Sequence, residues 1–226
     1  MNRLSDVKIL GLFLLLALFQ GCAGTRISTF KDPDFSNQHF KRIVIASGLK
    51  REYDASLFQS ISSKVMENHA DVQPIKYESL FFPTRTYSND EFNAIVKEQG
   101  IDGFLFFSLQ DAGSETSYIP QYGSQTTVRP TYGGGYNATT YNYGGYNITK
   151  PYFSFKVELV DSKSGRKAWI ADSSTGGNAF ADWNILLESL SDKVVRALIS
   201  EGLVEKGKES ETDNRSAYDK RNGIYR

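Results

Sequence analysis

One cysteine and two histidines are all that 226 residues supply of the thiol and imidazole side chains on which disulfides and most transition-metal sites depend. A lone cysteine cannot form an internal disulfide, so nothing within the chain is stapled. His39 and His69 have no cysteine or acidic company at ligand spacing, and no metal site is expected. No Gly-x-Ser-x-Gly elbow occurs. Gly133-Gly134-Gly135 lacks the lysine and the strand-to-helix setting of a phosphate loop. Asp102, Asp111, Asp161 and Asp172 fall near strand ends or turns, where solvated carboxylates are the ordinary outcome. The chain therefore reads as non-enzymatic, without cofactor or metal. Charge is equally uninformative: 26 basic residues balance 26 acidic ones, so no basic field exists to hold nucleic acid.

The one cysteine has a particular setting. Arg3 and Lys8 precede an eleven-residue apolar run, Ile9 to Phe19, and Gln20-Gly21-Cys22 follow it. A cationic start, a short apolar core and a small residue at the exit are the plan of a secretory signal. As a helix the run reaches roughly 16 Å, against about 30 Å of bilayer hydrocarbon, so it is too short for a permanent span. Gly21-Cys22-Ala23 resembles the processing site of a bacterial lipoprotein, in which cleavage before the cysteine leaves it as the lipid-modified amino terminus. That resemblance implies cleavage between Gly21 and Cys22, acylation of Cys22, and a membrane as partner through the lipid. Ala23 in place of aspartate implies sorting to the outer membrane, facing the periplasm. Several acyl chains hold stably where one is marginal.

Removal of residues 1–21 leaves 205, enough for one sizeable core. Residues 22–40 have no helical or strand period and read as a lipidated tether, with Phe30 and Phe35 able to pack back on the domain. Lys41–Ala46 reads as a strand covered on both faces. Asp54 is expected to cap a helix over Ala55–Asn68. Val72–Tyr77 is a weaker strand, Asp90–Gln99 a second helix stopped by Gly100, and Ile101–Leu109 a central strand. Tyr152–Asp161 alternates Phe153, Phe155, Val157 and Leu159 with polar residues, the mark of a half-buried strand. Ser162–Gly165 turns the chain into a partner strand, and Gly176-Gly177 read as slack. Asp182 caps the clearest helix, with Trp183, Leu187, Leu190, Val194, Ala197 and Leu198 on one stripe. The expected fold is α/β: a single domain of two or three layers over 41–204, with a mixed sheet of about five strands closed by the C-terminal helix. A disordered charged tail is expected over 205–226.

Residues 116–150 break the pattern. They hold seven tyrosines and six glycines, with Arg129 and Lys150 the only charges. The segment reads as a low-complexity insertion, soft in backbone. Tyr132, Tyr136, Tyr141, Tyr143 and Tyr146 are its candidate partner contacts, since tyrosine offers a large rigid surface with a polar tip. Residues 139–146 are too polar and glycine-rich for a lipid-facing strand judged by alternation alone. The acceptor patterns at Asn137 and Asn147 read as chance.

The block Glu158–Trp169, with Leu187–Val195 and Gly202–Val204, is similar to envelope lipoproteins built on the TolB amino-terminal-like fold. That group includes curli-secretion and polysaccharide-export lipoproteins and activators of peptidoglycan synthases. The resemblance implies the fold and non-enzymatic work of binding or assembly in the periplasm, with an envelope protein or a second copy as partner. The competing expectation is a subunit of an oligomeric secretion or export channel.

Overall fold

The computed structural model describes residues 21–119, 123–130, 134–142 and 144–207. Its strands are β1 (Ala23–Lys31), β2 (Arg42–Ser47), β3 (Gln73–Lys76), β4 (Gly103–Ile119), β5 (Ser124–Pro130), β6 (Tyr136–Asn142), β7 (Tyr146–Asp161) and β8 (Lys167–Gly177). Its helices are α1 (Arg51–Glu67), α2 (Tyr77–Leu80), α3 (Asn89–Glu98) and α4 (Trp183–Ser200), and a 3₁₀ turn covers Pro33–Phe35. Six strands form one mixed sheet in the order β1-β8-β7-β4-β2-β3, and β5 and β6 form a second sheet of two. The α/β class and the closing helix are as the sequence implies.

Alternation along the central strands places a helical layer on each face. Ile43 and Ile45 of β2, Leu105 and Phe107 of β4 and the row Phe153, Phe155, Val157 and Leu159 of β7 join the apolar stripes of α1 and α4 in one core. Val44, Phe104 and Phe106 point the other way, where Phe81, Phe92, Ile95 and Val96 cover them. The second layer is aromatic: Phe81, Phe92 and Phe104 stack in sequence at 4.6 and 5.6 Å between centroids. Caps fix the helix starts. Ser88 and Glu91 form a reciprocal capping box on α3, and the Asp182 carboxylate accepts from the Ile185 amide at the head of α4. Gly202, at φ +68°, ends α4 and returns Leu203 into the core.

Several expectations are corrected. The stretch expected as a tether contains β1, nine residues paired antiparallel with β8 along its whole length. Its hydroxyls disguised it: Thr25 is buried, yet its side chain bonds the hydroxyls of Thr175 and Ser189, both at 2.9 Å. Burial of a polar residue with partners costs little, and polarity alone misreads it as exposed. Phe35 is buried and Phe30 is not. Helix α1 starts at Arg51, and Asp54 caps nothing; it accepts from the Ser47 hydroxyl at 2.6 Å and pairs with Lys76 at 3.1 Å. Gly177 is no slack joint. A Cβ there would lie 2.4 Å from the Ala181 Cβ and 2.9 Å from Leu186 Cδ1, so the glycine permits β8 to meet the approach to α4. Glu205 and Lys206, expected in the tail, still pair with the body: Asp71 donates its amide to the Glu205 carbonyl at 2.8 Å, and Ala70 and Lys206 form a bridge. The rest of the tail and residues 1–20 of the leader lie outside the described residues.

Candidate functional site

The insertion is the largest departure from expectation, and it builds the one unusual surface. Far from a soft loop, residues 110–119 and 146–152 continue β4 and β7 as an antiparallel ribbon beyond the sheet, and β5 and β6 form a further hairpin between them. The register sorts its side chains onto two faces. One carries the pairs Gly113 and Tyr152, Glu115 and Lys150, Ser117 and Ile148, Ile119 and Tyr146. The other carries Ser114 and Pro151, Thr116 and Thr149, Tyr118 and Asn147. Hydroxyl contacts mark both hairpins, Thr116 with Thr149 at 3.2 Å and Thr126 with Thr140 at 3.0 Å. The Gly145 amide donates to the Tyr118 hydroxyl at 2.8 Å.

In the inner hairpin, Val128 stands opposite Ala138 and Pro130 opposite Tyr136 on one face. Thr127 with Thr139 and Arg129 with Asn137 take the other. Alternation invisible along either strand alone thus emerges once the two are paired. Of the tyrosines proposed from sequence, Tyr136 and Tyr146 are exposed, at 76% and 56%. Tyr141 occupies the position opposite Gln125. Tyr132 and Tyr143 lie outside the described residues. Ile119 and Ile148 share the face of Tyr146, Tyr118 lies on the other face of the ribbon, and Val128 stands on the inner hairpin. Sequence reasoning missed them because no hairpin register could be read across the glycines.

Both edges of the ribbon are open. Strand β2 pairs with β4 only as far as Phe107, and β8 with β7 only from Tyr152 onward. Beyond those points no third strand meets either edge among the described residues.

Cys22 shares an end of the sheet with the root of this ribbon. Gly24 is opposite Gly176, Gly176 opposite Tyr152, and Tyr152 opposite Gly113, one transverse row across β1, β8, β7 and β4. Cys22 is exposed at the same end, one residue before β1, and its carbonyl accepts from the Asn178 amide at 2.8 Å. Gly21 is cradled: a Cβ on it would fall 2.3 Å from Ile185 Cδ1 and 2.7 Å from the Phe180 carbonyl. The sequence leads to the expectation of a processing site at these two residues, and the structure sets them at the same end of the sheet as the ribbon root.

The aspartates have structural work. Asp102 accepts from the amides of Lys41 and Arg42, at 2.8 and 3.0 Å. Asp161 is buried at the β7–β8 turn and accepts from the Ser164 hydroxyl, the Ser164 amide and the Gln38 amide group. Burial alone would raise its pKa, but the Ser164 and Gln38 donors together hold it below the usual carboxylate range. Asp111 and Asp172 are exposed. Among the described residues no cluster of histidine, cysteine and carboxylate is placed to hold a metal, and no helix is long and apolar enough to cross a membrane.

No family model and no curated protein matches the chain. Solved structures do. The PelC dodecamer from Paraburkholderia phytofirmans is 12% identical, with a TM-score of 0.42 over 82% of this chain and 99% of that one. A variant of the same dodecamer is 11% identical, with a TM-score of 0.42 over 76% and 98%. The lipoprotein GNA1162 from Neisseria meningitidis is 16% identical, with a TM-score of 0.36 over 71% and 96%. Likeness of this degree carries neither function nor partners to this chain.

Proposed function

We propose that this chain is a lipid-anchored bacterial envelope protein that works by binding or assembly, without catalysis, from the periplasmic face of the outer membrane. Cys22 is its acylated residue and the ribbon its contact surface. The observation that carries the reading is the shared end: Cys22 directly precedes β1 and lies at the same end of the sheet as the root of the ribbon, which supports an anchor placed there. The resemblance of residues 41–204, apart from the 116–150 insertion, to TolB-like envelope lipoproteins supports the same class of work. The test has two arms. The mass of the mature amino terminus reports acylation and cleavage before Cys22. Replacing residues 114–151 by a two-residue turn then asks whether membrane-extracted complexes change; unchanged complexes remove the ribbon from the function.

A second reading is favoured by the open edges. Two unlike edges on one ribbon suit head-to-tail pairing between copies, and a closed ring of such ribbons leaves no edge unpaired. On this reading the chain is a subunit of an oligomeric secretion or export channel. Size in detergent separates the two: a large closed oligomer for the channel, a monomer or small assembly for the adaptor.

A further inference from the structure

We infer that the partner of the ribbon is the lipid surface of the same membrane that holds Cys22, and that the face bearing Ile119, Tyr146 and Ile148 lies against it. The inference rests on the reading of Cys22 as the anchor and names what the ribbon touches. The geometry leaves little freedom. Cys22 leads into β1 without a spacer, and its carbonyl is fixed to the Asn178 amide. Strands β1 and β7 are two places apart in the sheet, about 10 Å at the usual spacing. From the row through Gly24 and Tyr152, β7 runs six residues further out to Tyr146, about 20 Å at 3.3 Å per residue. A lipid on Cys22 therefore brings the ribbon to the membrane whatever else binds the domain.

Chemistry fixes the depth. An open-edged ribbon cannot enter hydrocarbon, where its unpaired amides and carbonyls would have no water. A two-stranded ribbon standing alone in water is marginal. The headgroup layer serves both needs, since water reaches the edges while apolar side chains leave it. Tyrosines are suited to that layer. Tyr146 and Ile119 are exposed and paired on one face, with Ile148 beside them and Glu115 and Lys150 nearer the root. The opposite face holds Ser114, Thr116, Tyr118, Asn147, Thr149 and Pro151; its hydroxyls and amide face water, and the Tyr118 hydroxyl accepts from the Gly145 amide at 2.8 Å.

The test avoids dependence on acylation in the cell. The mature chain, residues 22–226, is coupled through its single thiol to a maleimide lipid and bound to phosphatidylcholine–phosphatidylglycerol vesicles. Amide exchange is followed by mass spectrometry. Exchange over 114–119 and 146–150 is expected to slow about tenfold relative to the uncoupled chain with the same vesicles. The turn Ser162–Gly165, at the far end of the sheet, is expected to stay unchanged and reports an intact fold. Ile148→Asp is expected to abolish the slowing. Equal exchange in the coupled and free chains overturns the inference. So does a large closed particle on detergent extraction with both ribbon edges protected, which indicates ribbons paired across the bilayer. A native amino terminus without lipid refutes the anchor instead, and mass alone reads that.

Discussion

The Asn178 amide donates to the Cys22 carbonyl at 2.8 Å. The contact uses no side-chain atom of Cys22, and the thiol itself is exposed. On the proposal that Cys22 is the anchor, anchoring and folding are therefore separable at this residue. Cys22→Ser is expected to release the protein from the membrane fraction and to remove the lipid mass, while stability changes by less than about 0.5 kcal/mol. Fractionation and thermal unfolding on one preparation check both halves.

Adjacent glycines at the end of β8 should behave oppositely. A Cβ at Gly177 meets Ala181 and Leu186 at distances real side chains do not adopt, whereas at Gly176 it meets nothing within 4 Å. Gly177→Ala is expected to cost about 1–3 kcal/mol through overpacking. Gly176→Ala is expected to be neutral or to stabilise by a few tenths, roughly 0.4 kcal/mol, by restricting the unfolded chain. Urea unfolding of the pair decides whether β8 and the approach to α4 are as close as described.

How far the chain could be read from its sequence depended on which physical signal each element carries. Strand β7 was legible because Phe153 to Leu159 alternate without interruption and every inward member is buried. The head of α4 was legible because Asp182 is followed by an apolar stripe. Strand β1 was not, since its inward residues are Ala23, Thr25 and Ile27, and the hydroxyl ladder to Thr175 and Ser189 is a tertiary fact. The ribbon was hidden for another reason. Its order comes from pairing between residues such as Thr116 and Thr149, 33 apart in sequence, while local composition signals only softness. Cys22 is singled out in the sequence by its flanks; its place at the ribbon's end of the sheet required the register.

Acid should reach the fold through Asp161. Its pKa is depressed in the folded state by the Ser164 and Gln38 donors, against the effect of burial. A depressed carboxyl stabilises the fold above its unfolded pKa of about 3.9, and that contribution is lost as pH falls through the folded value. Asp161→Asn is expected to lower stability at pH 7 by about 1.5–3 kcal/mol, the range for hydrogen bonds to a charged group. It should also flatten the decline below about pH 4. A variant with the same acid limb as the native protein would assign that limb to other carboxylates.

Excising the ribbon should leave the body standing. Every residue from Gln110 to Ile119 is exposed, and the two core clusters take nothing from this part of β4. Replacement of residues 114–151 by Asn-Gly joins Gly113 to Tyr152 through a tight hairpin turn. Unfolding is expected to remain a single transition, with stability changed by no more than about 1 kcal/mol. A large loss would mean that the ribbon supports the sheet and would recast it as scaffold.

Ser191 offers a test of the core itself. It is fully buried on α4, and its hydroxyl has no hydrogen-bond partner among the described residues. In the unfolded chain water serves that hydroxyl, so folding strips it without replacement. Ser191→Ala removes the unserved group, keeps almost all of the volume and replaces a middling helix former by the best one. These effects act in the same direction, and the substitution is expected to stabilise the protein by about 1 kcal/mol. Equilibrium unfolding in urea measures the shift. A loss of similar size would show that the hydroxyl is satisfied by an ordered water inside the sheet–helix interface, and would move Ser191 from a tolerated defect to a member of the polar network that begins at Thr25.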